Sequence, residues 1–179
     1  ALDDPWIRAA AVADEHAWAE CFSVGHDPTG LDCEANVLRY LPTAAAIRWD
    51  GIDPGALARV CAAMMRAGGP GRVSSPVALP AALAEALGAG GVAVYVETSE
   101  DAVACMRAEG LSRVRYVGEV GPQWRGHADI AVFDGPVTAA PELEMLPFLR
   151  EQAVSLTAHR YGTPFEPAQR IARDLRRAR

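Results

Sequence analysis

Side chains that commonly carry catalysis are few and scattered in this chain of 179 residues. The histidines are His16, His26, His127 and His159. None lies in an H-E-x-x-H metal motif, and no Gly-x-Ser-x-Gly elbow marks a serine nucleophile. We expect His16 to pack on a helix, whereas His26 beside Asp27 either hydrogen-bonds locally in a turn or serves as a general base. The residues do not assemble the nucleophile, base and oxyanion donors of an active site.

The cysteines form no metal or redox motif. Cys21, Cys33, Cys61 and Cys105 include no C-x-x-C pair, and none has zinc-ligand spacing to a histidine. We therefore expect free, buried thiols in a reducing cytoplasm. A catalytic thiol stays open as an alternative, without a motif that supports it.

Two glycine clusters raise the hypothesis of a phosphate-binding loop. A dinucleotide site needs G-x-G-x-x-G between a strand and a helix. The clusters at 68–71 and 88–91 instead follow predicted helices, where glycine ends a helix. The strand-to-helix turns at 48–54 and 97–101 are acidic and would repel phosphate. We expect no cofactor and no metal on this chain.

The charge of the chain restricts its partners. Seventeen arginines, no lysine and 23 acidic residues give a net charge of −6, which argues against general nucleic-acid binding. Residues 170–179 hold five arginines and one aspartate. We interpret them as a solvated helix end, with an acidic partner as the alternative. Because no apolar run reaches ~20 residues and no signal peptide is recognisable, we expect a cytoplasmic chain without a membrane span.

The elements that must position these side chains alternate between strand and helix from residue 45 to residue 133. Strands are predicted at 36–42, 45–49, 72–75, 91–97, 113–117 and 130–133, and helices at 4–22, 53–68, 79–87 and 99–110. Residues 91–97 are almost continuously hydrophobic, which indicates a strand buried on both faces. Ser99 is the expected cap of the helix that follows. The alternation predicts an α/β fold, with an open, mostly parallel sheet and helices on both faces.

The end of the chain has a different pattern. Residues 141–150 are predicted to be helical with a break or kink at Pro147, residues 153–159 to form a strand, and a last helix to start at Glu166. Such a tail cannot build its own core, so we expect it to cover the α/β body or contact a partner. We predict one domain, 1–179, with an N-terminal helix and loop (1–36), a βαβ core (45–133) and a partner-contacting segment with a helix (141–179).

Two stretches, 25–40 and 146–162, place charged and amide side chains inside apolar sequence without a solvent-facing period. A fork-shaped polar contact with backbone or with a neighbouring domain is one interpretation of residues 150–152, and ordinary surface polarity is the other. The candidate interface residues are His26, Asp27, Arg150, Glu151, Gln152, His159, Arg160 and Tyr161.

These stretches resemble the C-terminal domain of the long bifunctional proline-utilisation flavoenzymes, known as proline utilization A. The resemblance rests on F-S-x-x-H-D-P-T-G-L and E-A-N-V-L-R-Y within 22–40, and on L-P-F-L-R-E-Q-A-V-S-L-T-A-H-R-Y-G at 146–162. The second segment is the more specific. Residues 45–133 match only in their βαβ pattern, and the Arg-rich helix after Gly162 is not explained.

The resemblance implies a function. That family fuses a proline dehydrogenase to an L-glutamate-γ-semialdehyde dehydrogenase, and its parent enzymes use FAD and NAD. The extra domain is Rossmann-like with a β-flap, lacks catalytic machinery and packs on the aldehyde dehydrogenase domain of the same or a neighbouring chain. It helps to seal the cavity through which the pyrroline-5-carboxylate/semialdehyde intermediate passes. The family's catalytic cysteine belongs to the dehydrogenase domain, so no cysteine here is assigned as a nucleophile.

Two other functions stay open on the residues alone. The chain is a regulatory or assembly subunit that acts in trans on the same enzyme, or it is a stand-alone α/β enzyme with an unrecognised site. Fold class does not decide between them, because one fold hosts many functions. Self-association of the isolated chain is a further expectation, since a surface made for a partner would be exposed.

Overall fold

The computed structural model describes residues 4–31, 33–157, 159–160 and 163–177. In this part of the chain the strands are β1 (Glu34–Pro42), β2 (Ala45–Trp49), β3 (Gly71–Ser75), β4 (Ala93–Val96), β5 (Arg113–Val117), β6 (Ala131–Phe133), β7 (Leu149–Thr157), β8 (His159–Arg160) and β9 (Thr163–Pro164). The α-helices are α1 (Pro5–Ala17), α2 (Pro54–Ala67), α3 (Ala81–Ala89), α4 (Ser99–Ala108), α5 (Pro141–Glu144) and α6 (Glu166–Arg176). None of these helices has the length and apolar composition needed to span a membrane.

The chain divides into two compact units. Ala1–Glu15 and Pro42–Leu149 form the first, which we call the sheet unit. His16–Leu41 and Arg150–Arg179 form the second, which we call the terminal unit. The single domain 1–179 and its internal boundaries remain a prediction.

Five parallel strands build the sheet unit in the order β4-β3-β2-β5-β6. The central strand β2 is buried at all five positions. Numbered along the chain within this sheet, the order is 3-2-1-4-5, which is the strand order of the Rossmann fold. The predicted α/β class is confirmed, and the strands predicted at 45–49 and 113–117 have the predicted bounds.

The prediction that residues 91–97 form a strand buried on both faces is wrong. Strand β4 covers only Ala93–Val96 and lies at the edge of the sheet, where it pairs on one side with β3. Tyr95 and Val96 are 42% and 62% exposed. A short apolar run is compatible with a central strand and with an edge strand, because its sequence pattern does not show whether another strand pairs on each side or whether helices pack on its faces.

Side-chain caps set the starts of α2 and α4. The Asp53 carboxylate accepts hydrogen bonds from the backbone N–H groups of Gly55 and Ala56 at 2.8 and 3.0 Å and so starts α2, as its sequence predicts. The cap of α4 is Thr98 and not Ser99, because the Thr98 Oγ1 accepts from the N–H of Asp101 at 3.1 Å. The Ser99 hydroxyl instead accepts a hydrogen bond from Arg48 at 3.3 Å.

The helix predicted at 141–150 is shorter than expected. It ends at Glu144, a 3-10 turn follows over Leu146–Phe148, and β7 begins at Leu149. Proline lacks a backbone N–H and disfavours the α conformation of the residue before it, so Pro147 prevents continuation of the helix. Arg150 therefore lies on a strand.

The terminal unit contains a two-stranded sheet of β1 and β7 and the helix α6. Arg39 of β1 contacts Gln152, whereas Asn36, three residues earlier, contacts Ser155, so the strands run antiparallel. Ala35 and Val37 of β1 form a small buried cluster with Ala172 of α6. The tail thus packs with the segment at 16–41.

Candidate functional site

The first stretch of the candidate interface is a loop attached to β1. The backbone of His26 exchanges two hydrogen bonds with Leu38, at 2.8 and 2.9 Å, and the His26 ring contacts the carbonyl oxygen of Cys21 at 2.8 Å. The structure therefore agrees with a local hydrogen-bonding role of His26. It places no carboxylate on the ring that would orient it as a general base, among the described residues.

Asp27 is a buried anchor of this loop, with 3% of its side chain exposed. Its Oδ1 accepts from the Thr29 hydroxyl at 2.7 Å and from the backbone N–H groups of Thr29 and Gly30 at 3.0 and 3.2 Å. Its Oδ2 accepts from Nε of Arg176 at 2.9 Å and also pairs with Nη2 of the same guanidinium. The Thr29 hydroxyl and then Arg176 hold the pKa of Asp27 well below its ordinary range.

The ion pair between Asp27 and Arg176 gives one arginine of the Arg-rich C-terminal helix an intramolecular partner. Arg176 lies in the last turn of α6, and it also approaches the carbonyl oxygen of Glu34 at 3.5 Å. Arg170 pairs within the helix with Glu166 at 3.0 Å. The acidic partner of Arg176 is therefore an aspartate of the same chain. Arg176 was not among the predicted interface residues, although arginines spaced three apart at 170, 173 and 176 share a helix face.

The second stretch lies on β7, where Arg150, Glu151 and Gln152 do not share one partner. The Gln152 Oε1 accepts from Nε of Arg39 at 2.7 Å and is half-buried. Burial and then the Glu151 carboxylate raise the pKa of Tyr40, so Glu151 lies near β1. Arg150 is exposed and has no ion pair within the described residues. Within the described residues of the terminal unit these three side chains do not converge on one partner, and the fork-shaped contact with backbone or a neighbouring domain stays a prediction.

The last candidates lie in the short hairpin of β8 and β9. His159 is exposed, and the backbones of His159 and Arg160 pair with Pro164 and Thr163. Tyr161 falls outside the described residues. Seven of the eight candidates are thus described residues of the terminal unit, and Arg150 is an exposed charge among them.

The cysteines are free, but they are not uniformly buried as expected. Cys61 is buried, and burial raises the pKa of its thiol to about 12, which makes it a poor nucleophile. Cys21 and Cys105 are half-buried and Cys33 is exposed. Cys33 lies in the Gly- and Asp-rich loop before β1, where loop residues usually face solvent. Across the described residues no three metal-ligating side chains come together.

The turn between β2 and α2 is the position at which a Rossmann fold holds the pyrophosphate of a dinucleotide. Phosphate would bind there to the first N–H groups of the helix. In this chain the Asp53 carboxylate already accepts the N–H groups of Gly55 and Ala56, and Asp50 follows β2 directly. Two carboxylates at this turn repel phosphate, so these residues do not fit a dinucleotide.

Comparisons with known proteins found a similar solved structure. No protein-family profile and no curated protein matches the chain. Among solved structures, it is similar to proline utilization A (PutA) from Corynebacterium freiburgense, with a TM-score of 0.61 and 31% sequence identity. The match covers 90% of this chain and 14% of that chain, so the chain spans about a seventh of that protein's length. The chain therefore resembles a segment of a proline utilization A enzyme.

Proposed function

We propose that this chain is a non-catalytic structural domain of a bifunctional proline-utilisation enzyme that converts proline to glutamate. It packs on the aldehyde dehydrogenase half of the enzyme and helps to seal the cavity that carries the pyrroline-5-carboxylate/semialdehyde intermediate. FAD and NAD bind to the catalytic domains of the parent enzyme and not to this chain.

The observation that carries the proposal is the alignment of 90% of the chain with a small part of a much larger proline utilization A protein. Because the match covers only 14% of that protein, it supports a role as one part of a larger chain. At the start of α2 the backbone N–H groups of Gly55 and Ala56 already donate to the Asp53 carboxylate, which supports a domain that does not bind a nucleotide itself. The exposed charge of Arg150 supports docking through β7.

A binding titration tests the docking surface. The 179-residue chain is titrated against the aldehyde dehydrogenase half of its parent enzyme, and Arg150→Ala and Glu151→Ala are compared with the unchanged sequence. Each variant should dock more weakly by ~2–5 kcal/mol if its partner charge is left buried and unpaired. Two exposed residues of the sheet unit supply the controls. Arg125→Ala removes a positive charge, as Arg150→Ala does, and Glu85→Ala removes a negative charge, as Glu151→Ala does; both controls should dock normally.

Two results would overturn the proposal. If both β7 variants dock like the unchanged chain, residues 150–151 are not the contact. If calorimetry shows that the isolated chain binds NAD with micromolar affinity, the chain has a nucleotide site of its own, and the stand-alone enzyme becomes the better hypothesis.

A further inference from the structure

A cavity of about 500 Å³ lies at the carboxyl ends of three neighbouring strands of the sheet unit. Asp50 follows β2, Gly118 follows β5 and Asp134 follows β6, and all three line the cavity. The chain leaves β2 toward β3 on one side and returns at β5 on the other, so the cavity lies at the switch point of the sheet. Open α/β sheets bind their ligands at this point, and the volume suits a small molecule.

One wall of the cavity is held in place by a buried ion pair. Arg115 of β5 bonds both carboxylate oxygens of Glu144, at 3.1 and 2.9 Å, and each side chain is at most 4% exposed. The same guanidinium donates to the carbonyl oxygens of Phe133 and Gly135 at 3.1 and 2.8 Å. Glu144 also accepts from the N–H of Thr138 at 2.8 Å. The loop from Asp134 to Val137 is therefore fixed at both ends, and the cavity is preformed.

The lining of the cavity selects the charge of a ligand. Asp50, Asp53 and Asp134 contribute three carboxylates, and the described lining residues include no arginine or histidine. None of the three aspartates forms an ion pair with another described residue. An anion would be repelled and a cation attracted. A bare metal ion is not favoured, since no three metal-ligating groups converge within the described residues.

The apolar side chains that line the cavity favour a ligand whose uncharged part is apolar. Trp6 and Ile52 line the cavity and are 43% and 79% exposed, so both offer apolar surface to a bound molecule. Pro136 and Val137 add further apolar surface. A tryptophan face attracts organic cations in addition to apolar groups.

We propose that this cavity binds an organic cation, an alkylammonium or alkylguanidinium group, with its charge toward Asp50 and Asp134 and its stem against Trp6 and Ile52. The cation belongs either to a free small molecule or to a lysine or arginine side chain of a polypeptide. The proposal does not depend on the proposed function, because it rests on the sheet unit alone.

The test is a titration of the whole 179-residue chain with n-butylguanidinium, followed by the NMR shifts of the Gly118 and Gly135 amides. We expect saturable binding, and much weaker binding of the neutral analogue n-pentanol. Asp134 is exposed and has no hydrogen-bond partner among the described residues, so Asp134→Asn should fold normally and weaken binding about fivefold. Trp6→Leu should weaken it about threefold. Glu85→Gln, the same charge change on α3 away from the cavity, should have no effect.

A second pair of ligands separates the two sources of the cation. If a capped arginine peptide shifts the same amide signals and its norleucine analogue does not, the site is assigned to a polypeptide side chain. If only butylguanidinium binds, the site is assigned to a small molecule. Absence of saturable shifts overturns the proposal. Equal affinity of Asp134→Asn and the unchanged chain, or equal binding of n-pentanol, does the same.

Discussion

At the scale of single residues, buried arginines organise the sheet unit. Arg59 of α2 donates to both carboxylate oxygens of Asp14 of α1, at 2.7 and 2.8 Å, and both side chains are at most 1% exposed. Burial raises the pKa of Asp14, and the Arg59 hydrogen bonds oppose that shift. The desolvation cost of the two charges therefore offsets much of their attraction.

Removing one member of this pair should be costly, whereas removing both should cost less. Asp14→Ala leaves the Arg59 guanidinium buried without its anion and should lower the free energy of unfolding by ~3–5 kcal/mol. The double variant Asp14→Leu/Arg59→Met should be less destabilised than Asp14→Ala, because neither charge is then left unpaired; its remaining loss is the hydrogen bond from Arg59 Nε to the carbonyl oxygen of Thr138, at 3.0 Å. Urea unfolding measures both.

The matched control is Glu15→Ala, because Glu15 also pairs with an arginine but is 67% exposed. Exposed pairs are worth ~0–1 kcal/mol, so this variant should be nearly neutral. A double variant as unstable as Asp14→Ala would contradict the account, since the loss would then come from packing and not from an unpaired charge.

These pairs could not be predicted from the sequence. Arg115 alternates with apolar residues in the strand at 113–117 and looks like a solvent-facing position, whereas Arg48 is a single charge between Ile47 and Trp49. Their burial depends on partners that are distant in sequence, since Arg115 and Glu144 are 29 residues apart and Arg59 and Asp14 are 45 apart. Composition and periodicity carry no information on such pairing, whereas the Asp53 cap is local and was predictable.

At the scale of elements, α6 is held to the loop before β1 by the pair of Asp27 and Arg176. A carboxylate with a lowered pKa stabilises the fold above its unfolded pKa, and that stabilisation is lost as the pH falls below it. The ordinary value for Asp27 is 3.8. The terminal unit should therefore loosen in acid below about pH 4.

Arg176→Met should loosen the same contact at neutral pH. We expect severalfold faster hydrogen exchange at the amides of Gly30 and Asn36, which donate to Asp27. The variant should also lose part of the acid sensitivity, because the Thr29 hydrogen bonds remain. Arg177→Met, on a side chain that is 75% exposed, is the control. Unchanged exchange in Arg176→Met would show that α6 does not depend on this pair.

Element positions were predicted better than element environments. Strands at 45–49 and 113–117 are delimited by turn residues and have the predicted bounds. The exposure of β4 was not predicted, because it depends on the strand order of the sheet. The break expected at Pro147 is present, but α5 already ends at Glu144, three residues before that proline. The candidate interface stays a prediction, and the intramolecular partners of Asp27 and Gln152 within it were not predicted.

At the scale of the whole molecule, the chain combines a sheet unit of Rossmann strand order with a terminal unit that carries the candidate interface. Strand order follows from the alternation of strands and helices only in part, since several orders satisfy it. The acidic turn at 48–54 predicts that phosphate is disfavoured there, and the structure adds that the Asp53 carboxylate accepts the N–H groups of Gly55 and Ala56.

We propose that this chain helps to seal a cavity between the two active sites of a larger enzyme. The most direct test is the time course of glutamate formation from proline by the parent enzyme with and without residues 1–179, with each half-reaction assayed separately. The account predicts unchanged half-reactions but, in the truncated enzyme, a lag and release of the intermediate to an external trapping reagent. A truncated enzyme that forms glutamate without a lag and releases no more intermediate than the complete one would contradict it.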